Sequence, residues 1–125
     1  MLDAALEALP GSETGFLGLK RDERTLQPTV YMNTIPDLSG RPTYILDPML
    51  ATGGSANFAA EQVRVSGAGP VTLIVLLAAP EGVEAVAAAG LVDRVVTASV
   101  DSHLNEIGFI LPGLGDAGDR QYGVD

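Results

Sequence analysis

The middle of the chain alternates between short apolar runs and segments whose apolar residues recur every three or four positions. Residues 44–46 and 94–98 are runs of the first kind, and residues 71–79 form a longer one that is interrupted only by Thr72. These runs predict three β-strands. Because the longest run is almost continuous, we expect its strand to be buried on both faces of a parallel sheet.

Two helices are predicted between these strands. The first ends near Gly67, and the second runs from Pro80, a residue favoured at the first helical position, to Gly90, which is suited to closing a helix. The order β-α-β-α-β predicts an α/β fold with a parallel sheet and right-handed crossovers. The apolar positions share one helical face, namely Ala56, Ala59, Ala60 and Val63 in the first helix and Val83, Val86 and Ala87 in the second.

The segments on either side of this core have weaker patterns. Residues 2–9 predict one or two helical turns, and residues 36–42 a linker. Residues 15–34 have apolar ends around a polar, charged centre and predict a flap made of a long hairpin. Residues 99–125 are rich in glycine and show no helical period, so we expect a loop assembly at the edge of the sheet, where functional residues often lie.

Composition and charge exclude several classes of protein. The 125 residues are 46% hydrophobic and 18% charged, which is typical of a folded chain. The formal net charge is −9, whereas nucleic-acid-binding surfaces are basic, so no nucleic-acid partner is expected. The chain has no cysteine for a disulfide or a thiolate metal site. Its longest apolar run is too short to span a bilayer and its first residues lack a basic signal-peptide region, so we expect a soluble, cytoplasmic protein.

Residues 47–55 lie between a predicted strand and a predicted helix, the place where open α/β sheets bind ligands. The string Thr52-Gly53-Gly54-Ser55 predicts a phosphate-binding loop, because the glycines let the backbone approach a ligand closely. The N–H groups at the start of the helix and the two hydroxyl groups supply donors. The alternative is an ordinary turn in which Ser55 caps the helix.

Two other phosphate-binding motifs are excluded. No Gly-x-x-x-x-Gly-Lys-Ser/Thr string is present, so the chain is not a P-loop nucleoside triphosphatase. Residues 113–118 match Gly-x-Gly-x-x-Gly, but no strand clearly precedes them and too few residues follow for a βαβ unit. A dinucleotide-binding function is therefore rejected.

Longer strings resemble one enzyme family. Residues 45–55, ILDPMLATGGS, are similar to the motif with which type I phosphoribosyltransferases bind phosphoribosyl pyrophosphate (PRPP). Pro48 stands where most of that superfamily has a second acid, as in its uracil-specific branch. Residues 108–120, GFILPGLGDAGDR, resemble the uracil-binding hood of that branch, and residues 21–28, RDERTLQP, resemble its flexible loop. Shorter matches extend the resemblance over the whole chain, at residues 78–82, 97–99 and 104–106.

The resemblance implies a partial phosphoribosyltransferase domain over residues 1–125. Residues 44–98 would form a Rossmann-like PRPP-binding core, residues 15–34 a flexible flap, and residues 99–125 the hood that binds uracil. The implied reaction is that of a uracil phosphoribosyltransferase, which forms UMP and diphosphate from uracil and PRPP in pyrimidine salvage.

Individual roles are also implied. Asp47 would bind the ribose hydroxyls, Arg21 the pyrophosphate and Asp116 the PRPP site, and these three are the expected catalytic residues. Mg²⁺ is the expected cofactor, reaching the site with PRPP and water rather than through protein ligands. The alternatives are a loop-entry Asp47, a solvated Arg21 and a plain C-terminal loop. The implied PRPP-binding set is Arg21, Asp47, Pro48, Met49, Leu50, Ala51, Thr52, Gly53, Gly54, Ser55 and Asp116, and the uracil-binding set is Ile110, Gly115, Asp116 and Ala117.

Members of this family are longer at the N-terminus, where an Arg-Ala-Gly-Leu-Gly segment contacts pyrophosphate. The chain matches the family from just after that segment, so we expect an N-terminally truncated portion of the enzyme. The resemblance also implies a homo-oligomer, dimeric or larger, and a GTP effector. The alternative function is an inactive or regulatory nucleotide-binding fragment.

Overall fold

The computed structural model describes residues 1–21 and 28–123, which contain four helices and eight strands. The elements are, in chain order, α1 (Leu2–Ala8), β1 (Leu17–Arg21), β2 (Pro28–Asn33), β3 (Thr43–Leu46), β4 (Met49–Leu50), α2 (Gly54–Val65), β5 (Val71–Ala78), α3 (Pro80–Ala89), β6 (Arg94–Val100), β7 (His103–Leu104), β8 (Ile110–Leu111) and α4 (Ala117–Tyr122).

Strand β5 is the centre of a parallel sheet. Strands β3 and β4 lie one after the other along one edge of β5, and β6 pairs with its other edge. Helix α2 connects the first edge to β5, and α3 connects β5 to β6. The predicted β-α-β-α-β core and the α/β fold class are therefore confirmed.

Strand β4 occupies residues that were expected to be loop. After β3, the carbonyl oxygen of Pro48 accepts hydrogen bonds from the N–H groups of both Leu76 and Leu77, at 3.1 and 3.2 Å. This shared acceptor keeps the chain beside β5, so that Met49 and Leu50 pair with it in parallel. The expectation of a loop from Met49 onward is wrong for these two residues.

Helices α2 and α3 pack on the same face of the sheet. Ala56 of α2 and Val86 of α3 share a buried cluster with Leu73 and Val75 of β5. Each of these four side chains is at most 3% exposed. Burial of such apolar surface is the main stabilising contribution to the core.

The opposite face of the sheet is open in the described part of the chain. Leu76 of β5, Tyr44 of β3 and Val96 of β6 are 50%, 49% and 45% exposed, respectively. The expectation that β5 is buried on both faces is therefore wrong here. A continuous apolar run predicts two covered faces only if helices lie on both, and α2 and α3 cover the same one.

The flap is an antiparallel hairpin. Strands β1 and β2 pair with Leu17 opposite Asn33, and the register shifts between Gly18 and Leu19. The predicted hairpin is confirmed for the described residues. Residues 22–27, at the centre of the expected flexible loop, lie outside them.

The hood contains more regular structure than its sequence predicts. Strands β7 and β8 pair as a short antiparallel ladder, with His103 opposite Leu111. Asp116 then caps α4 by accepting a 2.9 Å hydrogen bond from the N–H of Asp119, and Gly123 ends the helix at a φ of 66°. The expectation that residues 99–125 contain only loops is wrong, because a cap at each end supports a helix too short to show a period.

A side-chain clamp holds the ends of the core elements together. The guanidinium group of Arg64, at the end of α2, donates to the carbonyl oxygens of Leu91 and Gly69 at 2.9 and 2.6 Å. It also donates to Asp93 at 2.7 Å, and the same carboxylate oxygen accepts from the N–H of Val71 at 2.6 Å. The clamp therefore fixes the starts of β5 and β6 relative to α2.

Replacing Arg64 with Ala is expected to lower the free energy of unfolding by about 1.5–3 kcal/mol, because two carbonyl groups and a carboxylate lose a charged donor. Urea denaturation followed by circular dichroism measures the change. As a control, Arg94→Ala removes an arginine side chain from an exposed position on β6 and should lower the free energy of unfolding by less than about 0.5 kcal/mol. Equal losses in the two variants would show that the clamp contributes nothing specific.

The clamp should also weaken in acid. Hydrogen bonds from the N–H of Val71 and from Arg64 hold the pKa of Asp93 below its ordinary value of 3.8. The stability that this ionised group contributes is present above pH 3.8 and is lost as the pH falls through the lower folded-state pKa. The effect of Arg64→Ala should therefore shrink below that pH.

Candidate active site

A cleft opens at the carboxyl end of the parallel sheet, between the ends of β3 and β4 and the start of α2. Its volume is about 200 Å³. It is lined by Asp47 and by residues 49–56, which include the whole Thr52-Gly53-Gly54-Ser55 string. The structure therefore brings the acid and the glycine loop (residues 51–55) into a single site, as their spacing in the sequence predicts.

Asp47 is positioned by the sheet. Its backbone N–H continues the ladder beyond β3 by donating to the carbonyl oxygen of Ile74 at 3.1 Å. Its carboxylate accepts a 3.1 Å hydrogen bond from the N–H of Met49 and is only partly open to solvent. Burial raises the pKa of Asp47 above its ordinary value, and the hydrogen bond from Met49 partly offsets that effect. The carboxylate is thus a preoriented acceptor beside the cleft.

The glycine loop turns tightly because of two contacts with α3. Gly53 adopts a φ of 82°, a left-handed conformation that disfavours any side chain, and it lies against Ala85. Gly82 of α3 lies against the backbone of the loop. A Cβ atom at Gly82 would overlap the carbonyl oxygen of Ala51 and lie 2.9 Å from that of Leu50. Glycine at position 82 therefore allows the loop backbone to rest on the helix.

The positive end of α2 faces the same cleft. Gly53 is the N-cap residue, no side chain caps the helix, and its first turn contains no acid. The alternative in which Ser55 is the cap is wrong, because the helix already begins at Gly54. Backbone N–H groups without a capping side chain and a favourable helix dipole make this end suited to an anion, even in a chain of net charge −9.

The remaining residues of the expected PRPP set have different surroundings. Pro48 is exposed, does not line the cleft and uses its carbonyl group in the sheet. The Leu50 side chain is only 1% exposed, and its carbonyl oxygen accepts from the N–H of Ala79 at 2.9 Å. Residue 21 ends β1, and the Arg21 side chain lies outside the part of the chain that the structure describes.

The hood lies beside the glycine loop. Ile110 of β8 is 7% exposed and packs with Leu77 and Ala79, in a cluster that also includes Met49 and Ala51. A Cβ atom at Gly108 would be 3.9 Å from the Thr52 side chain. Ile110 is thus part of the core that the hood shares with the end of β5 and the glycine loop.

Three expected uracil-binding residues lie outside the cleft. Gly115 and Asp116 are exposed, and Ala117 begins α4. Arg120 of α4 donates to the carbonyl oxygen of Leu114 at 2.7 Å and so ties this helix to the preceding turn. The structure places these residues at the C-terminal end of the hood, following the hairpin that packs beside the glycine loop.

Two acidic residues near the site were not predicted to have a role. The carboxylate of Glu81, in the first turn of α3, accepts a 2.9 Å hydrogen bond from the N–H of Leu104 in β7. Asp101, just after β6, accepts one of 2.8 Å from the N–H of Gly113. Residue 81 belongs to a string that resembles the family, but sequence spacing alone could not reveal partners that are 23 and 12 residues away.

These features define the class of the protein. A parallel sheet with an acid after one edge strand, a glycine-rich loop at the start of the following helix and a C-terminal hood beside them is the type I phosphoribosyltransferase fold. A solved structure titled "Structure of AQ2163 protein from Aquifex aeolicus" superposes with a TM-score of 0.91 at 40% identity, over 100% of this chain and 60% of that one.

The sequence comparisons give the family. A family model described as uracil phosphoribosyltransferase matches residues 1–124, and the chain belongs to that family. A uracil phosphoribosyltransferase of Streptomyces avermitilis is 58% identical over 127 aligned positions, and one of Streptomyces coelicolor is 56% identical. Each alignment covers 99% of this chain and 60% of the relative, so the chain spans about 60% of the length of these proteins.

Two further features of the described residues bear on membranes and metals. Among the described residues, no helix has both the length and the apolar character needed to cross a bilayer. Over the same residues, no three His, Asp or Glu side chains come close enough together to hold a metal ion.

The buried charge of Asp47 predicts a gain in stability when it is removed. Asp47→Asn keeps an oxygen that can accept from Met49 and deletes the charge, so the free energy of unfolding near pH 7 should rise by on the order of 0.5–1 kcal/mol. Because the folded-state pKa is raised, the difference should disappear as the pH falls toward the ordinary value of 3.8. Urea denaturation at several pH values measures it, and a variant that is less stable than the wild type at pH 7 would contradict the account.

Proposed function

We propose that the protein carrying this chain is a uracil phosphoribosyltransferase, which forms UMP and diphosphate from uracil and PRPP. The observation that carries the proposal is the cleft in which the Asp47 carboxylate faces a glycine loop at the uncapped start of α2. The names of the relatives support the same reaction and favour it over an inactive or regulatory nucleotide-binding fragment.

In this proposal, the cleft binds the ribose phosphate part of PRPP. The N–H groups of residues 52–55 and the hydroxyls of Thr52 and Ser55 bind the 5′-phosphate, because donors converge there on the positive end of a helix. Asp47 accepts hydrogen bonds from the ribose hydroxyls. Arg21 at the end of β1 binds pyrophosphate, since a guanidinium group can donate to two phosphate oxygens at once.

The proposed reaction is a substitution at C1 of the ribose. Uracil N1 forms the new bond to C1 and releases its proton to solvent, while the bond from C1 to the pyrophosphate oxygen breaks and that oxygen retains the electron pair. The chain contributes positioning and charge rather than a covalent nucleophile. The N–H groups of residues 52–55 face the 5′-phosphate, and the negative charge of Asp47 lies beside the ribose ring, which becomes cation-like in the transition state.

Mg²⁺ fits this site as an ion carried by the substrate. Among the described residues, Asp47 is the one acid that lines the cleft, and Mg²⁺ commonly binds one or two carboxylates together with substrate phosphates and water. When bound, it would neutralise charge on the leaving pyrophosphate. We propose Asp47 and Asp116 as the residues that face it through water, and, from the family resemblance, a homo-oligomer with GTP as an effector.

The proposal is tested by assaying UMP formation from uracil and PRPP with the protein carrying this chain and its Asp47→Asn variant. We expect the variant to lose about 100-fold or more in kcat/KM, because hydrogen bonds to a charged acceptor contribute about 1.5–3 kcal/mol each and two ribose hydroxyls are involved. Circular dichroism confirms that the variant is folded. A wild-type protein that binds PRPP but forms no UMP would favour the regulatory alternative, and unchanged kinetics would remove Asp47 from the site.

A second test concerns selectivity for the base. The hood residues Gly115 and Ala117 have no side-chain groups that recognise a base, so we propose that main-chain N–H and C=O groups of residues 110–117 distinguish uracil from cytosine. A mismatched buried hydrogen bond costs about 1–3 kcal/mol, which is about 10- to 100-fold in selectivity.

Asp116→Asn should therefore lower kcat while leaving the preference for uracil within about three-fold of the wild type, since Asn still caps α4. Ala117→Leu should instead weaken uracil binding, because a base-sized cleft tolerates little added volume. Steady-state kinetics with both bases decide the matter. Efficient use of cytosine by Asp116→Asn would show that the side chain reads the base.

A further inference from the structure

The first turn of α3 contacts both halves of the candidate site. On one side, the N–H of Ala79 donates to the carbonyl oxygen of Leu50 at 2.9 Å, and Gly82 lies against the carbonyl group of Ala51. On the other side, Glu81 accepts the 2.9 Å hydrogen bond from the N–H of Leu104. One rigid helical turn thus joins the glycine loop to the hood hairpin.

The hydrogen bond from Leu104 is made by the strand that pairs with Ile110, one of the expected uracil-binding residues. Leu104 of β7 lies directly opposite Ile110 of β8 in the short antiparallel ladder. Only two residue pairs form that ladder, so it is too short to be stable by itself. A hydrogen bond that anchors β7 therefore also fixes the position of the Ile110 main chain relative to the glycine loop.

Glu81 is well suited to be that anchor. It is exposed, so the contact does not require burial of its charge. Its carboxylate lies in the first turn of α3, where the helix dipole favours a negative charge. The N–H of Leu104 and the backbone N–H of Glu81 itself hold the pKa of Glu81 below its ordinary value of 4.5, so the acceptor is ionised near neutral pH. Hydrogen bonds to an ionised acceptor are the stronger kind.

We propose that Glu81 is a positioning residue for base binding, which holds the β7–β8 hairpin at a fixed distance from the glycine loop. This inference rests on the proposed function, since it assigns the consequence to uracil rather than to PRPP. The glycine loop keeps its own contacts with α3 through Ala79 and Gly82, and these do not involve the Glu81 side chain.

Three variants of the protein carrying this chain test the inference. Glu81→Ala removes the acceptor and should raise KM for uracil about ten-fold, with KM for PRPP within about two-fold of the wild type. Glu81→Gln keeps an oxygen acceptor but loses the charge, and should recover most of the affinity for uracil. Glu84→Ala removes an exposed carboxylate from the same helix and should behave like the wild type.

The Gln variant separates the hydrogen bond from a general effect of charge on α3. If Glu81 acted only through the helix dipole, Gln and Ala would be equally impaired, and the inference would be overturned. Equal increases in both KM values for Glu81→Ala would overturn it as well, because the defect would then not be specific to the base.

Hydrogen exchange gives a readout that is independent of activity. Amide protons of residues 103–111 should exchange at least about five-fold faster in Glu81→Ala, while those of β5 remain as protected as in the wild type. Unchanged exchange in the hairpin would refute the anchor even if the enzyme were active. A wild-type protein that forms no UMP would instead refute the proposed function, and the exchange experiment would still decide whether Glu81 holds the hairpin.

Discussion

The close approach between α3 and the glycine loop is the constraint on which the site depends. It exists because position 82 has no Cβ atom, so the carbonyl groups of Leu50 and Ala51 can rest on the helix. With those carbonyls fixed, the chain must turn through the left-handed conformation at Gly53 before α2 can begin. The cleft between Asp47 and the start of α2 is the space that this turn leaves. A side chain at position 82 would displace the whole loop rather than a single ligand contact.

Two electrostatic features of the cleft suit ligand binding but do not stabilise the chain without a ligand. A partly buried carboxylate with a raised pKa lies beside a helix start that no side chain caps, and neither feature stabilises the folded chain. Both become favourable when a ligand brings hydroxyl donors to the acid and a phosphate group to the helix. Binding then stabilises the fold by mass action, which is the expected behaviour of a site organised before its ligand arrives. The acidic net charge of the chain does not oppose this, because the first turn of α2 contains no acid.

Sequence patterns predicted the parts of this structure that are governed by local rules. The core strands, the Pro80 and Gly90 boundaries of α3 and the cleft beyond β3 all follow from periodicity, proline and glycine preferences and strand order. Strand β4 and the β7–β8 ladder could not be predicted, because two-residue strands have no period and depend on partners distant in the sequence, such as the N–H groups of Leu76 and Leu77 that donate to the Pro48 carbonyl oxygen beside β4. The open face of β5 was missed because an apolar run does not reveal which side a crossover helix covers. The roles of Glu81 and Asp101 were missed because their hydrogen-bond partners lie far away in the sequence and come close only in the folded chain.

Recognition through the main chain requires that the main chain be held still. A hood that reads a base with N–H and C=O groups gains selectivity only if those groups cannot shift to suit the wrong base, because a movement of a fraction of an ångström restores a mismatched hydrogen bond. The hood has little core of its own, with Ile110 as its one buried residue among those described. Its rigidity therefore depends on contacts at two separate points, with Glu81 of α3 holding β7 from outside the hood and Asp101, at the start of the hood, holding the turn at Gly113. Both anchors belong to elements that leave the carboxyl end of the central sheet, so the hood inherits its position from the core that also shapes the glycine loop.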